Sequence, residues 1–351
     1  MLKSYLIKIF QFFILFKKHF IVFGSLLILL SFFKLFNYSF NDIILDANYA
    51  EYFDANKKIL GIRIPKKLYF AGEKVPVSNN VVYDAVEREL VLNSYGRYKS
   101  LVLHKRAHIW FSVIDPILKK YNIPEDFKYI ALIESQLTNA VSNRGATGFW
   151  QIIASTGLGY GMEINNEVDE RYNVIKSTEV ACKYFKEAYK IFNNWTLVAA
   201  SYNIGIGGLQ LQLKKQKVDN YYALALNEET SRYIYRILAM KEIISKPNAY
   251  GFILSKKDYS QSMQTKIITI NSPVENLSDF ALSQNIDFEI LKRFNPWLLS
   301  NSLTIMENKK YIIELPKNDL SNYYFEDKND ENTVLNKIDS AVIISVDSLL
   351  K

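Results

Sequence analysis

Apolar residues recur every three or four positions through the middle of the chain, and this spacing constrains the fold more than any other feature. In the segment that begins at Asn80, the pattern is carried by Val81, Val82, Ala85, Val86 and Leu90. Such spacing places side chains on one face of an α-helix, which can bury that face in a core. The same spacing predicts further helices at residues 104–121, 127–137, 177–192, 195–202 and 230–244. Residues 80–246 are therefore predicted to form a mainly α-helical domain.

The predicted helix at residues 104–121 contains Asp115 followed by Pro116. Proline is tolerated in the first turn of a helix, and aspartate is a common N-cap residue. We therefore expect this helix to bend or to restart at Asp115.

The pattern shifts towards β-strand from Thr265 onwards. Strands are predicted at residues 266–270 and 311–315, with helices at 277–284 and 289–294 between them. This order predicts a small α+β domain at residues 265–316. Residues 247–264 are predicted to be a linker. The tail at 317–351 begins with many Asn, Asp and Lys residues and is expected to be poorly ordered.

The N-terminal region combines lysines with an uncharged apolar run. Residues 1–41 carry five lysines and no acidic residue, and residues 20–33 carry no charge. Extending the run to Phe36 gives 17 residues, the short end of the length that spans a bilayer. Because four of the lysines precede the run, the positive-inside rule predicts a cytoplasmic segment at 1–18 and an inner-membrane anchor at 19–36. Residues 37–79 are then a spacer in the periplasm.

A cleaved signal peptide, which would release the chain into the periplasm, is the alternative to a retained anchor. No small-residue cleavage site follows Phe36 directly, and this favours the anchor. The net charge of the chain is +7, but the basic excess is concentrated in the N-terminal region. The sequence therefore predicts no nucleic-acid partner.

Cysteine and histidine are scarce in this sequence. The chain has one cysteine, Cys182, and three histidines, His19, His104 and His108. A single cysteine excludes a disulfide within the chain and a metal site built from several cysteines. His104 and His108 are four residues apart on a predicted helix, but no third ligand accompanies them. We therefore expect neither a metal ion nor any other cofactor.

Glu134 is the acidic residue whose position most suggests chemistry. It follows Phe127, Ile130 and Ala131 by seven, four and three positions, so it shares the apolar face of their predicted helix. Burial disfavours the charged form of a carboxyl group and raises its pKa. A carboxyl group that stays protonated near neutral pH can act as a general acid. A glutamate that turns out to solvent near a helix end is the alternative that periodicity leaves open.

Seven short strings occur in order from Ile133 onwards. They are IESQ at 133–136, SNRGATGFWQI at 142–152, STGLGYGM at 155–162, VDER at 168–171, STEVA at 177–181, ASYNIG at 200–205 and ETSRY at 229–233. With them, residues 80–246 resemble the lytic transglycosylases of glycoside hydrolase family 23, most closely the membrane-bound lytic murein transglycosylase D group. The resemblance implies a lysozyme-like fold and peptidoglycan glycan strands as the substrate.

The resemblance also implies a role for individual residues. Glu134 is then the single catalytic acid and base. The family's Gly-Leu-Trp-Gln segment, which lines the cleft, corresponds to residues 148–151, with Phe149 in place of Leu. The VDER string is a bracing segment, so Asp169 and Glu170 are not expected to act as a second catalytic pair. The residues implied to bind substrate are Ser135, Gly148, Phe149, Trp150, Gln151, Tyr202, Asn203, Glu229 and Tyr233. For Glu229 and Tyr233, bracing of the helices is the alternative to contact with sugar.

The reaction of this family uses one carboxyl group, whereas a standard glycosidase uses two. The resemblance implies that Glu134 protonates the oxygen between N-acetylmuramic acid and N-acetylglucosamine. Glu134 then takes the proton from the muramic acid 6-hydroxyl, which attacks C1 and closes a 1,6-anhydro ring without consuming water. A hydrolytic muramidase of the lysozyme type and a non-enzymatic peptidoglycan-binding protein are the alternatives.

Residues 266–316 resemble a LysM module, a small glycan-binding domain. The match is carried by LSDFALSQNIDFEILKRFNPWL at 277–298 and by the closing YIIELP. Ser272 and Pro273 replace the module's usual Gly-Asp, so a domain that keeps the fold without binding glycan is the alternative to a working module. The fold class is thus predicted to be mainly α, with an N-terminal transmembrane helix, a lysozyme-like transglycosylase domain and a small α+β LysM-like domain.

Overall fold

The computed structural model describes residues 62–94, 97–252, 254, 265–306 and 309–317. The predicted anchor at residues 19–36, the cytoplasmic segment before it and nearly all of the predicted tail lie outside these residues. Within the described part of the chain, no helix combines the length and the apolar character that crossing a bilayer requires.

The described residues form a mainly helical domain followed by a small α+β domain. The helices are α1 (Asn80–Ser94), α2 (Arg97–Lys120), α3 (Lys128–Ser135), α4 (Ala154–Gly159), α5 (Val174–Phe192), α6 (Trp195–Ile204), α7 (Ile206–Gln216), α8 (Glu228–Ser245), α9 (Leu277–Ser283) and α10 (Phe288–Phe294). The strands are β1 (Tyr69–Phe70), β2 (Glu73–Lys74), β3 (Thr265–Ile270) and β4 (Tyr311–Pro316). Each predicted helix and strand is present. The β1–β2 hairpin, α4 and α7 were not predicted.

The helix does not restart at Asp115, so that part of the expectation is wrong, and the bend stays a prediction. Helix α2 contains Pro116 and runs on to Lys120. The Asp115 carboxylate accepts a hydrogen bond at 2.9 Å from Nζ of Lys128, at the start of α3. Asp115 therefore ties two helices together through an ion pair instead of capping a new helix.

Asparagine side chains fix the starts of the helices that surround the candidate site. The side chain of Asn173 accepts from the Lys176 amide at the start of α5, and that of Asn194 accepts from the Leu197 amide at the start of α6. Asn227 caps α8 in the same way. Each such cap satisfies an amide that the helix leaves without an internal partner, and stabilises the fold by about 1 kcal/mol.

Helix α6 lies in the centre of the helical domain. Its residues 196–201 are all buried, which fits a segment that is apolar on every side. An aromatic cluster packs beside it, with ring centroids 4.6 Å apart for Phe127 and Phe185, 5.2 Å for Phe185 and Tyr202, and 5.8 Å for Trp150 and Phe185. This cluster joins α3, α5 and α6 to the loop that carries Trp150.

The β1–β2 hairpin belongs to the same core, although it comes from the stretch that the sequence predicts as a spacer. Leu68, Phe70 and Val75 are buried in the core of the helical domain. The Glu73 carboxylate accepts hydrogen bonds from the amides of Trp195 at 2.6 Å and Thr196 at 2.9 Å. The hairpin therefore caps the N-terminus of α6, where a negative charge is also favoured by the helix dipole.

The C-terminal domain has the predicted strand-helix-helix-strand order. Strands β3 and β4 pair antiparallel, with Ile268 opposite Ile313. Asn295 joins the end of α10 to β4, because its side chain donates to the Glu314 carbonyl at 2.7 Å and accepts from the Glu314 amide at 2.8 Å. Helices α9 and α10 pack on one face of this two-stranded sheet around a separate small core.

Candidate active site

Glu134 lies near the end of α3 and is only partly buried. Its Oε1 accepts a hydrogen bond at 2.6 Å from the Tyr233 hydroxyl, which α8 supplies. Tyr233 is 1% exposed. Burial, together with the neighbouring Glu134, raises the pKa of Tyr233 well above its ordinary value, so the phenol stays protonated and acts as the donor. The carboxyl group is therefore held in a fixed orientation.

The surroundings of Glu134 favour its protonated form. Burial raises its pKa above the ordinary value. The hydrogen bond from Tyr233 and the charge of Arg236 lower this pKa, and the carboxylate of Glu229 raises it. The net rise is the shift that a general acid needs near neutral pH.

Arg236 is a site residue that the sequence analysis missed. It lies three positions after Tyr233 on α8, and its guanidinium donates to the Ile133 carbonyl at 3.1 Å. The same helical spacing that relates Glu134 to its apolar face could have identified it. Arg236 thus ties α8 to the end of α3, and it contributes a positive charge near the carboxyl group.

Residues 142–152, here called the glycine turn, fold back beside the end of α3. Thr147 and Ile152 exchange two main-chain hydrogen bonds, both at 3.1 Å. Gly148 has φ +78°, and a Cβ atom there would lie 2.1 Å from the carbonyl oxygen of Arg171. A glycine is therefore required at this position by both the backbone conformation and the close approach.

Gln151 is predicted to bind substrate, and the glycine turn holds it in an unusual conformation. Its φ is +47°, in the left-handed region that side chains other than glycine rarely adopt. Its Nε2 donates to the carbonyls of Ala140 at 2.9 Å and Gly148 at 2.8 Å. Strain of this kind is held in place by the surrounding structure and is common at functional sites.

Phe149 and Trp150 turn their side chains into the core. Trp150 is 0% exposed and its indole donates to the Thr178 hydroxyl at 2.8 Å. Phe149 is 2% exposed and packs against Trp110. Both side chains are large and apolar, so they are buried in the core. Only the main chain of the two residues lies at the turn. These two side chains therefore anchor the turn, and contact of the segment with a glycan stays a prediction.

Ser135 is buried, and its hydroxyl lies 2.9 Å from the Phe149 carbonyl and 3.1 Å from the Ala131 carbonyl. The hydroxyl can donate to either oxygen. This contact joins the residue after Glu134 to the glycine turn. Contact of Ser135 with substrate stays a prediction, as it does for Gln151.

Tyr202 and Asn203 lie near the end of α6 and contact different neighbours. The Tyr202 hydroxyl donates to the Trp150 carbonyl at 2.7 Å, and this hydrogen bond ties the glycine turn to α6. Asn203 donates to the Glu229 carboxylate at 3.2 Å and accepts from the Thr230 hydroxyl at 2.8 Å. The pair therefore links α6 to the turn and to the start of α8. Glu229 itself is exposed.

Asp169 and Glu170 are both engaged by cations. The Asp169 carboxylate accepts from the Arg171 guanidinium at 2.7 Å, and Glu170 pairs with Lys176. Glu170 also accepts from the Glu163 amide at 2.9 Å. These contacts favour the predicted bracing role over a second catalytic carboxylate. Within the described ranges, no group of three or more His, Cys, Asp or Glu residues is arranged to hold a metal ion.

Two family models match this chain. Residues 112–224 match the transglycosylase SLT domain, and residues 266–319 match the soluble lytic transglycosylase C-terminal LysM-like domain. The first match covers α3, the glycine turn and α6. The second covers the small α+β domain.

Curated relatives cover part of this chain. Membrane-bound lytic murein transglycosylase D of Escherichia coli (strain K12) is 31% identical over 204 residues, which are 56% of this chain and 44% of the relative. A putative tributyltin chloride resistance protein of Alteromonas sp. (strain M-1) is 30% identical over 104 residues, 29% of this chain and 50% of that protein. The chain thus spans half or less of the length of these relatives.

A solved structure also matches. It is an inactive mutant of the lytic transglycosylase Slt from Pseudomonas aeruginosa, with 20% identity, a TM-score of 0.33, and coverage of 43% of this chain and 26% of that one. The two family models and the curated relative show that this chain carries an SLT lytic transglycosylase domain followed by a C-terminal LysM-like domain, and is distantly similar to membrane-bound lytic murein transglycosylase D.

Proposed function

We propose that the chain is a peptidoglycan lytic transglycosylase. In this proposal it cleaves the β-1,4 bond between N-acetylmuramic acid and N-acetylglucosamine and leaves a 1,6-anhydro-muramic acid end. The observation that carries the proposal is the pairing of a partly buried Glu134, whose pKa is raised by burial, with a donating Tyr233 hydroxyl. The SLT domain match over residues 112–224 supports the same reaction.

The hydrogen bond to Oε1 decides which carboxyl oxygen handles the proton. Tyr233 donates to Oε1, so Oε1 acts as an acceptor. Oε2 is then the oxygen that carries the acidic proton and delivers it to the glycosidic oxygen. As that proton transfers, the bond between C1 of the muramic acid and the glycosidic oxygen breaks. The N-acetylglucosamine residue leaves with a free 4-hydroxyl.

The second step closes the ring. The muramic acid 6-hydroxyl attacks C1, and its proton passes to the Glu134 carboxylate, which returns to the acid form. The proton balance therefore needs one carboxyl group and no water. The pairing of Asp169 and Glu170 with cations supports this single-carboxyl scheme over a two-carboxylate one.

The proposal extends to fold, domains and location. The helical domain at residues 80–246 is lysozyme-like. The position of Glu134 at a helix end beside the glycine turn supports this part of the proposal. Residues 19–36 anchor the chain in a bacterial inner membrane, with the catalytic domain in the periplasm. The lysine-flanked apolar run supports this topology. A reporter fused after residue 60 that is active only in the cytoplasm would overturn it.

Digestion of purified sacculi by the full chain tests the reaction. Wild type is compared with Glu134→Gln and with the control Glu275→Gln, which changes an exposed glutamate of the LysM-like domain. Mass spectrometry of the released fragments should show anhydro-muropeptides from wild type and the control, and none from Glu134→Gln. Reducing-end products, heavier by one water, would identify a muramidase instead. Retained sacculus binding with no release would identify a non-enzymatic wall-binding protein.

A further inference from the structure

Residues 163–172, here called the brace segment, contact both the LysM-like domain and the glycine turn. On the first side, Val168 is 1% exposed and packs in the core of the LysM-like domain with Trp297 and Leu298. The amide of Asp169 donates to the Trp297 carbonyl at 2.9 Å. The LysM-like core is therefore completed by a residue of the helical domain.

Glu167 adds polar contacts to this apolar one. Its carboxylate accepts from the Thr304 amide at 2.8 Å, the Thr304 hydroxyl at 3.1 Å and the Ser302 hydroxyl at 3.3 Å. Its carbonyl accepts from the Leu299 amide at 2.7 Å. One glutamate thus fixes the loop before β4 from both main chain and side chain.

Glu163 makes a second charged contact at the start of the brace segment. Its carboxylate accepts from Nζ of Lys309 and from the Tyr311 hydroxyl, the latter at 2.9 Å. Tyr311 belongs to β4 and stacks against Trp297. Hydrogen bonds with one ionised partner are about twice as strong as neutral ones. The two glutamates therefore hold the LysM-like domain in one orientation.

The other end of the brace segment contacts the glycine turn. The Arg171 guanidinium, paired with Asp169, donates to the carbonyls of Gly145 at 3.0 Å and Ile152 at 3.2 Å. The Arg171 carbonyl lies so close to Gly148 that a Cβ atom there would be 2.1 Å from it. One arginine therefore contacts the glycine turn at residues 145, 148 and 152.

We propose that the LysM-like domain positions the glycine turn through the brace segment, with Glu163 and Glu167 as positioning residues. The inference rests on the proposed function, because the turn is proposed to hold the glycan at Glu134. A module that only binds glycan could work on a flexible tether. Here the module shares a core residue and two carboxylate contacts with the segment that contains Arg171. In this proposal the docked domain helps to hold Gln151 in its strained conformation, because Arg171 of the brace segment donates to the carbonyl of the next residue, Ile152.

The test weakens the contacts between the brace segment and the LysM-like domain, and measures the effect on the glycine turn. The double variant Glu163→Ala with Glu167→Ala removes both carboxylates. The matched control is Glu275→Ala with Glu289→Ala, two exposed glutamates of the LysM-like domain away from the brace segment. Glu163→Gln with Glu167→Gln keeps acceptor oxygens and serves as the conservative rescue. Lys309→Ala is a milder variant, used if the double alanine chain does not fold.

Two readouts are taken on the full chain. Hydrogen exchange without substrate should become about threefold faster or more for amides of residues 145–152, because local opening depends on local contacts. Turnover of short soluble glycan strands, for which wall binding contributes nothing, should show kcat lowered by about three- to tenfold, as small misplacements cost rate. The glutamine variant, which keeps one acceptor oxygen at each position but no charge, should lie between wild type and the double alanine variant in both readouts, and the control should match wild type.

One pattern overturns the inference. If exchange at residues 297–304 becomes faster while exchange at 145–152 and kcat stay at the wild-type level, the docked domain does not position the turn. Loss of sacculus binding with unchanged turnover of soluble strands would contradict it in the same way. Because exchange needs no substrate, wild-type inactivity towards all glycans would overturn the proposed reaction and leave this test of coupling intact.

Discussion

The Tyr233 hydroxyl donates to the Glu134 carboxyl at 2.6 Å, and the two residues are 99 positions apart in the sequence. Helix α8 brings Tyr233, and helix α3 brings Glu134, so the proposed acid is completed by the packing of two distant helices. The hydrogen bond lowers the pKa of Glu134 against the larger effect of burial, which raises it. One phenol thus orients the proposed acid and partly offsets the effect of burial on its pKa.

Tyr233→Phe should lower the maximal rate by about tenfold, because the carboxyl group loses its fixed orientation. The first step needs protonated Glu134, so the rate falls as pH rises through its pKa. Removing a hydrogen bond that lowers this pKa should move that alkaline limb to higher pH. The pH–rate profile of anhydro-product release measures both effects. Tyr235→Phe, on the same helix, is the control and should leave the limb in place.

Glu229→Gln should shift the same limb in the opposite direction. The Glu229 carboxylate raises the pKa of Glu134, so its neutralisation lowers that pKa. The alkaline fall of the rate should therefore begin at a lower pH than in wild type. The amide can still accept from Asn203, which preserves the contact between α6 and α8. Glu228→Gln, the exposed neighbour, is the matched control. An unchanged limb in Glu229→Gln would show that this charge does not reach the acid.

Gly148→Ala should destabilise the fold by about 3 kcal/mol, since a strained φ and a clash with main chain add together. Gly145→Ala is the matched comparison. Its φ is +74°, but a Cβ atom there meets nothing within 4 Å, so the expected loss is about 1 kcal/mol. Urea denaturation of both variants gives the two values. Equal losses would mean that the contact with Arg171 relaxes at no cost.

Glu73→Ala should lower the free energy of unfolding by about 1–2 kcal/mol, because the first amides of α6 lose their acceptor and the helix dipole loses a nearby charge. Lys74→Ala removes an exposed side chain from the same hairpin and should have little effect. Thermal or urea unfolding measures the difference. A loss no larger than that of Lys74→Ala would show that water replaces the cap.

The sequence predicted the helices around the site well, because their apolar spacing is regular. The same spacing placed Glu134 on the apolar face of its helix, but only the resemblance assigned it a catalytic role. It could not show that Trp150 and Phe149 point into the core, since a motif string gives residue types and not the side on which a turn presents them. It also missed the β1–β2 hairpin, whose strands of two residues each are too short to show alternation. The role of Glu73 depends on a contact across 122 positions, and no local pattern reveals such a contact.

The order in which the chain is made follows from the place of α8. Glu134 is synthesised long before Tyr233 and Arg236. A nascent chain that stops before α8 lacks the phenol that orients its carboxyl group and the guanidinium that ties α8 to the end of α3. A stalled or cleaved fragment that ends before residue 233 should therefore be harmless to the wall. In the proposed reaction, lytic capacity would arise only when synthesis has passed through nearly the whole helical domain.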